Sequence, residues 1–492
     1  MKNLLEIFRK IIIGFFILIA CYVVFINVVN IFKLGKYFVF LLTLIVVFAI
    51  YFLSNIKKEV QNKKINYIIN IGSIFIFTII LVYVGFKTRV DSTWDYSVIL
   101  GEVHKYINGL DVRMHYFARY PNNIALFLFQ IFLAKLGCLY NPQISVMGIQ
   151  SITIIVNAFI IVFSIYLLKM IAKKVINRRA ANIVFVLSIL YSPLYLYTTI
   201  MYTDTIGMLL NVISLFLFYI SLNVSNKKGK WLSNVFLALA IAIGFKFKAT
   251  NIFILIAIVM QFFYDRKFKD ICILVVLSIF CILGIGSLID KSYPISEEMM
   301  DKNNFPYTHW LMMSLNPKTS GGYILEDVVY SMSFDTLAER KEGILKKLED
   351  RIDDYSVSEL LNRIFVVKVS HTWTNPTLGS EDYLQRNPYE WNYINKTVTY
   401  GHKNFKYYYV YIYSIYLFIL IGVVLSGVFN FKDKNIFIFI SQIVIIGIFC
   451  FELIWETHSR YVYTFLPFMI LCASYGYALL YEKFFRRGLY EK

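Results

Sequence analysis

Apolar runs of about twenty residues recur along the chain and alternate with short polar linkers. Ten fall near 11–31, 37–54, 65–86, 143–168, 180–200, 205–223, 271–289, 407–428, 436–453 and 461–481. An eleventh, WLSNVFLALAIAIGFKFKATNIFILIAIVMQFFY (231–264), exceeds a single crossing of about 20 residues and is interrupted by Lys246 and Lys248. It reads as two short spans with the lysines at the turn between them. Lipid offers the backbone no hydrogen-bond partner, so each run must satisfy its own amides, and runs this long do so as helices. The predicted fold is an all-α polytopic membrane protein with about twelve transmembrane helices.

The linkers give the direction of threading. NIKKEVQNKK (55–64), KMIAKKVINRR (169–179), NKKGK (226–230), DRKFKD (265–270), FKDKN (431–435) and EKFFRRGLYEK (482–492) are basic. Basic loops stay on the cytoplasmic side. One path puts all of them there, with both termini inside. It requires NNIALFLFQIFLAKLG (122–137) to be a helix lying on the outer surface instead of a crossing, because a crossing there would send 169–179 outside. The organisation that follows has two extra N-terminal spans (1–64) and a transmembrane core (65–289) with its first outer loop at 87–142. A large extracytoplasmic region (290–406) and the C-terminal spans (407–492) complete it.

Composition agrees: of 492 residues, 58% are hydrophobic and 16% charged, below the roughly 25% charged of soluble domains. The net charge of +18 does not indicate a nucleic-acid partner, since the Lys and Arg sit in the inner linkers. Cys21, Cys138, Cys272, Cys281, Cys450 and Cys472 show neither metal-ligand spacing nor a disulfide framework. The start, MKNLLEIFRKIIIGFFILIACYVVF, has a basic lead and no small-residue cleavage site, so a retained first span is expected. The expected location is the plasma membrane, with many passes.

The informative charges are those that this threading puts outside. They are Asp91 and Asp95 in VDSTWDYSVILGE (90–102), Arg119 in FARYPNN, Asp204 in TTIMYTDTIGMLL, and Lys246 and Lys248. Glu452, Glu456, His458 and Arg460 in ELIWETHSRYVYTFLP (452–467) join them. Each has a plain structural reading. Asp91, Asp95 and Asp204 are placed to cap helices, the lysines to snorkel, Arg119 to anchor a surface helix, and 452–467 to be a solvated loop. Together they bring acids and cations from distant parts of the chain to one depth on one face, which predicts a shared polar cavity at the outer surface. His309, in FPYTHWLMMSLNPKTSGGY (305–323), is a further candidate contact from the outer region. The helix predicted at 334–353 reads as solvated, and 358–373 as lying on the membrane with Trp373 at its interface.

Cations suit an anionic phosphate. Acids suit a general base, or a divalent cation such as Mg2+ or Mn2+ holding that phosphate. Attack on a sugar's anomeric carbon with a lipid phosphate leaving would use both.

The order of span, Asp-Tyr helix start, surface helix and later outer acid resembles the GT-C class of membrane glycosyltransferases. The likeness is in the manner of the protein O-mannosyltransferases and the lipid A aminoarabinose transferase. WDYSVILGEVHKYINGL (94–110) follows that layout, with Gly109 ending the helix. The resemblance implies Asp95 as catalytic base with Asp91 second, Arg119 and Lys248 on the donor phosphate, and Asp204 as second acid or metal ligand; among the outer cations Arg460 is a further candidate for that phosphate. Tyr96, Tyr202, Glu456, His458 and His309 would then contact substrate. It also implies a polyprenyl-phosphate sugar donor, membrane lipids around the site, and an extracytoplasmic acceptor in a surface glycan, lipid or protein. The chain departs from the class in having two additional leading spans and Asp-Tyr in place of Asp-Glu. A secondary transporter or flippase for lipid-linked sugars is the alternative, and a glycan polymerase or ligase would share the chemistry.

Overall fold

The computed structural model describes residues 2–54, 63–91 and 94–485, and among these it is helical throughout apart from loops and one isolated bridge between Val90 and Pro388. The linker at 55–62 and the tail at 486–492 lie outside the described residues. Three helices open the chain: α1 (Lys2–Lys33), α2 (Phe38–Ser54) and α3 (Lys63–Lys87). Three shorter ones follow: α4 (Asp95–Ile107), α5 (Met114–Arg119) and α6 (Ile124–Cys138). Then come α7 (Val146–Val175), α8 (Arg178–Leu190), α9 (Pro193–Leu196), α10 (Thr203–Asn223), α11 (Lys227–Phe247), α12 (Ile252–Tyr264) and α13 (Phe268–Ser292). Short helices from α14 (Glu297–Asn303) to α21 (Tyr393–Val398) fill the next hundred residues. The chain ends with α22 (Phe405–Asp433), α23 (Ile436–Ile454), α24 (Arg460–Tyr463) and α25 (Leu466–Phe485).

Helices lie at each of the expected span positions. Among the described residues, eight are long and apolar enough to cross a membrane, or nine if a bent pair counts as one span. That pair, α8 with Pro193–Thr199, meets at 60° where a straight helix over 180–200 was expected. Pro193 has no N–H with which to continue the helical ladder, so α8 stops at Leu190, Tyr191 turns extended and a new turn starts with Pro193 at its first position. The helix expected to lie on the surface passes the same length test when its leading turn is included, at Pro121–Cys138.

The two leading helices are built into the bundle. Arg9 on α1 donates to the carbonyl of Asn430 on α22. Thr43 on α2 donates to the carbonyl of Ser414, and Tyr481 on α25 to that of Val47. Small side-chain hydrogen bonds of this kind suit helix packing in lipid, where apolar burial between helices gains little. At one end of the bundle lie the basic turns between α7 and α8, α10 and α11, α12 and α13, and α22 and α23. Residues 293–404 cover the other end, where the turns after α3, α11 and α23 also emerge.

In the covering region α17 (Leu337–Asp353) is capped reciprocally by Thr336 and Glu339, as its amphipathic pattern predicts. Two of its arginines are buried, however. Arg351 pairs with Asp327 at 2.6 Å, and Arg340 donates to the carbonyls of Ser331, Asp301 and Asn304. Trp373, expected at the membrane interface, is instead buried against Phe449. Its carbonyl is taken up by Asn27 and Tyr416, which draws it into the bundle.

Candidate active site

Asp95 is the first residue of α4, and Glu102, two turns on, is fully buried. Glu102 accepts from the Arg113 backbone at 2.8 Å, from Arg113 Nε at 2.6 Å and from Lys105 Nζ at 3.0 Å. These bonds fasten the start of α5 to α4. The reversal between the two helices is made at Gly109, whose φ of +68° is open to glycine at little cost. α5 therefore runs back along α4 and brings Tyr116 to Asp95.

The Asp95 carboxylate is held by two phenols. Tyr116 donates to Oδ1 at 2.8 Å, and the one proton of the Tyr202 hydroxyl is shared between Oδ2 at 3.3 Å and Asn123 at 3.0 Å. Asn123 ties both phenols together, donating to the Tyr116 hydroxyl at 2.8 Å and accepting from Tyr202 at 3.0 Å. Burial, and then the Asp95 charge, push both phenols above their ordinary range, so they remain donors.

The second cluster centres on Asp204 in the first turn of α10, which is 1% exposed. Lys248 Nζ binds Asp204 Oδ1 and donates to Thr464 at 3.1 Å. Arg460 Nε lies 3.5 Å from Asp204 Oδ2, an ion-pair distance without hydrogen-bond geometry. Arg460 also bonds the Tyr383 hydroxyl and stacks over Tyr202 at 4.9 Å. Burial lowers Lys248 and works against Arg460; for Arg460 the nearby Asp204 outweighs it, and its net shift is upward.

Both clusters open into one cavity of about 760 Å³. Asp95, Tyr202, Lys248, Glu456, His458, Arg460 and His309 line it, joined by an aromatic wall that includes Trp310 and Trp455, which stack at 5.5 Å. Glu456 is pushed up to about 7 by burial, partly offset by a hydrogen bond from Tyr461 and reinforced by Asp95. Burial lowers His458 and His309 to about 4. Nδ1 of His458 accepts from the Arg460 backbone, which marks a neutral ring protonated on Nε2. His309 packs on Phe305 and bonds Ser331, so much of its surface is spent inside the protein.

Of the residues expected to act together, the fold gathers Asp95, Lys248, Arg460, Asp204, Tyr202, Glu456, His458 and His309. It does not gather the rest. Tyr96 is fully buried, its hydroxyl donating to the Thr199 carbonyl and accepting from Gln150, so it braces α4 and is not in reach of a substrate. Asp91 is exposed outside the cavity, where its backbone N–H donates to the carbonyl of Asn387. Arg119 stacks on Phe305 behind Tyr120 and is not among the lining residues. Asp204 is already shared by two cations, and among the described residues no three His, Cys, Asp or Glu side chains converge to hold a metal ion. These donors do not form a cation cage. Nothing in the apolar and charge pattern marks Tyr116 and Asn123. The PNN break before α6 is their only sequence signal.

A family described as conserved hypothetical integral membrane protein matches residues 2–479. The chain belongs to that family. This family member is similar in structure to ArnT from Cupriavidus metallidurans bound to undecaprenyl phosphate. The two share 11% identity and a TM-score of 0.37 over 83% of this chain and 77% of that one. It is also similar to the oligosaccharyltransferase AglB from Archaeoglobus fulgidus in complex with an inhibitory peptide and a dolichol-phosphate. Here identity is 12% and the TM-score 0.41, over 85% of this chain and about half, 51%, of that one. Both belong to the GT-C class that the sequence resembles. No curated protein matches this family member's sequence.

Proposed function

We propose that the protein is a membrane glycosyltransferase that moves a sugar from a polyprenyl-phosphate donor to an acceptor hydroxyl on the extracytoplasmic side. One observation carries this reading: a carboxylate oriented by two phenols shares a cavity with a lysine and an arginine, at one end of a helical membrane bundle. The resemblance of WDYSVILGEVHKYINGL to the GT-C layout points the same way. So does the basic character of the linkers at the opposite end, which favours an outward-facing cavity.

Asp95 takes the proton from the acceptor hydroxyl. The acceptor oxygen bonds to the anomeric carbon, and the bond from that carbon to the phosphate oxygen breaks. Its electron pair leaves on the phosphate, where Lys248 and Arg460 stabilise the growing charge. Asp204 positions the two cations and does not touch the reacting atoms. The aromatic wall suits the apolar part of a donor that stays in the bilayer.

The test is Asp95→Asn in the producing cell, with protein level checked by immunoblot and surface glycans compared by mass spectrometry. Removing a general base is expected to lower transfer about 10²–10⁴-fold and erase one glycan feature. Unchanged glycans at normal protein level would overturn the reading.

A further inference from the structure

One helical stretch runs from Val357 to Trp373, with a π-helical segment at Asn362–Lys368 in its middle. One face is committed to the protein. Arg363 donates to the Thr319 carbonyl at 2.6 Å, and Lys368 donates to the carbonyl of Trp455 at 2.8 Å. The exposed surface carries a stripe of large apolar side chains, with Val357 77% and Leu361 51% exposed and Phe365 and Val366 beside them, flanked by exposed Ser358, Glu359 and Asn362.

The same stretch is also tied to α1. The Tyr22 hydroxyl donates to the Phe365 carbonyl, and Asn27 donates to the Trp373 carbonyl at 3.0 Å. Tyr22 lies eleven residues before the end of α1 at Lys33, about 16 Å along a helix axis. Half a bilayer's hydrocarbon is about 15 Å. On the same stripe of α1, one turn to either side of Tyr22, Leu18 is 69% and Phe25 62% exposed. That stripe belongs to the lipid-facing surface of a span. Phe365 is therefore joined to α1 on a lipid-facing stripe, well below the helix end, and the open face of 357–366 continues that surface.

We propose that residues 357–366 are immersed in the leaflet on the cavity side, with Val357, Leu361, Phe365 and Val366 against lipid acyl chains. The capped start of this helix, where Ser356 and Glu359 bond reciprocally, supplies its polar part. Amphipathic segments bind a bilayer in this way, through a buried apolar face and a polar remainder. The region that covers the cavity is thus partly a membrane-embedded element. Through Lys368 and Trp455 it ties the cavity wall to the leaflet.

The experiment uses the intact protein in vesicles containing a phosphatidylethanolamine with a photoactivatable diazirine in its acyl chain, followed by peptide mapping of the adducts. Adducts at Leu18 and Phe25 verify insertion. The expected result is labelling of 357–366 at comparable yield, about ten-fold or more above the exposed face of α17 around Glu349. Adducts on α1 with none on 357–366 would overturn the proposal, whether water or another protein covers that face. So would equal labelling of α17. Neither outcome depends on the transfer reaction, so failure here is distinct from failure of the glycosyltransferase reading.

Discussion

Asp95, the proposed base, illustrates how little of a candidate site residue is its own side chain. Its orientation comes from Tyr116, Tyr202 and Asn123, which arrive from α5, the start of α10 and the turn before α6. Tyr116→Phe or Tyr202→Phe deletes one donor and leaves the ring packing in place. Each is expected to slow transfer about ten-fold, in line with a hydrogen bond to a charged group worth about 1.5–3 kcal/mol. The double variant should lose less than the product of the two, because the phenols share Asn123, and turnover of a labelled donor measures both. Glu456 gives a pH signature. The folded chain keeps its proton up to about 7, whereas the unfolded chain gives it up near 4.5. The stability from this group is therefore present below 4.5 and is lost as pH rises through 7. Melting curves from pH 5 to 8 should show the native protein falling relative to Glu456→Gln, and parallel curves would contradict the assignment. Asp95 and Lys248 were legible in the sequence because a charge beside an apolar run is conspicuous. Tyr116 and Asn123 were not, since tyrosine and asparagine are ordinary at a membrane boundary and their meaning lies in a contact made across a chain reversal.

At the level of elements, the turn that carries Lys248 is made by a close approach of helices. Asn251 donates to the Gly244 carbonyl at 3.0 Å, beside the Lys248 backbone N–H that donates to the same oxygen at 2.9 Å, and accepts from Asn211 on α10 at 3.0 Å. Gly207 on α10 gives it room: a Cβ there would stand 2.9 Å from Asn251 Nδ2 and 3.1 Å from Thr464. Gly207→Ala adds helix propensity of up to about 1 kcal/mol, but Asn251 is bonded at both ends of its amide and cannot swing away. Overpacking of about 1–3 kcal/mol should prevail, lowering the melting temperature. It should also weaken the Lys248–Asp204 contact, seen as a reduced response to added polyprenyl phosphate. The interruption in GFKFKATN was visible as lysines inside an apolar run. The bend at Pro193 was less visible, because the apolar pattern continues through it and only the proline marks the kink. Tyr96 misled for a related reason: it follows the acid directly, yet on a helix consecutive side chains point about 100° apart, and Tyr96 faces the core.

Across the whole molecule, the hydrophobic pattern carried the helical architecture, because lipid leaves the backbone no other solution. The convergence of four separate turns on one cavity was foreseeable only as a sidedness, from basic linkers at the opposite end. Which side chains met inside it depended on packing between helices far apart in sequence. The pairing of Asp204 with both Lys248 and Arg460 has a kinetic corollary. Asp204 and the ionised Asp95 together balance Lys248 and Arg460 before a donor binds. After transfer Asp95 holds the acceptor's proton, and the spent phosphate monoester carries more negative charge than the diester that arrived. Once Asp95 gives that proton up, its carboxylate and the monoester repel each other across the cavity, which would hasten departure of the spent carrier.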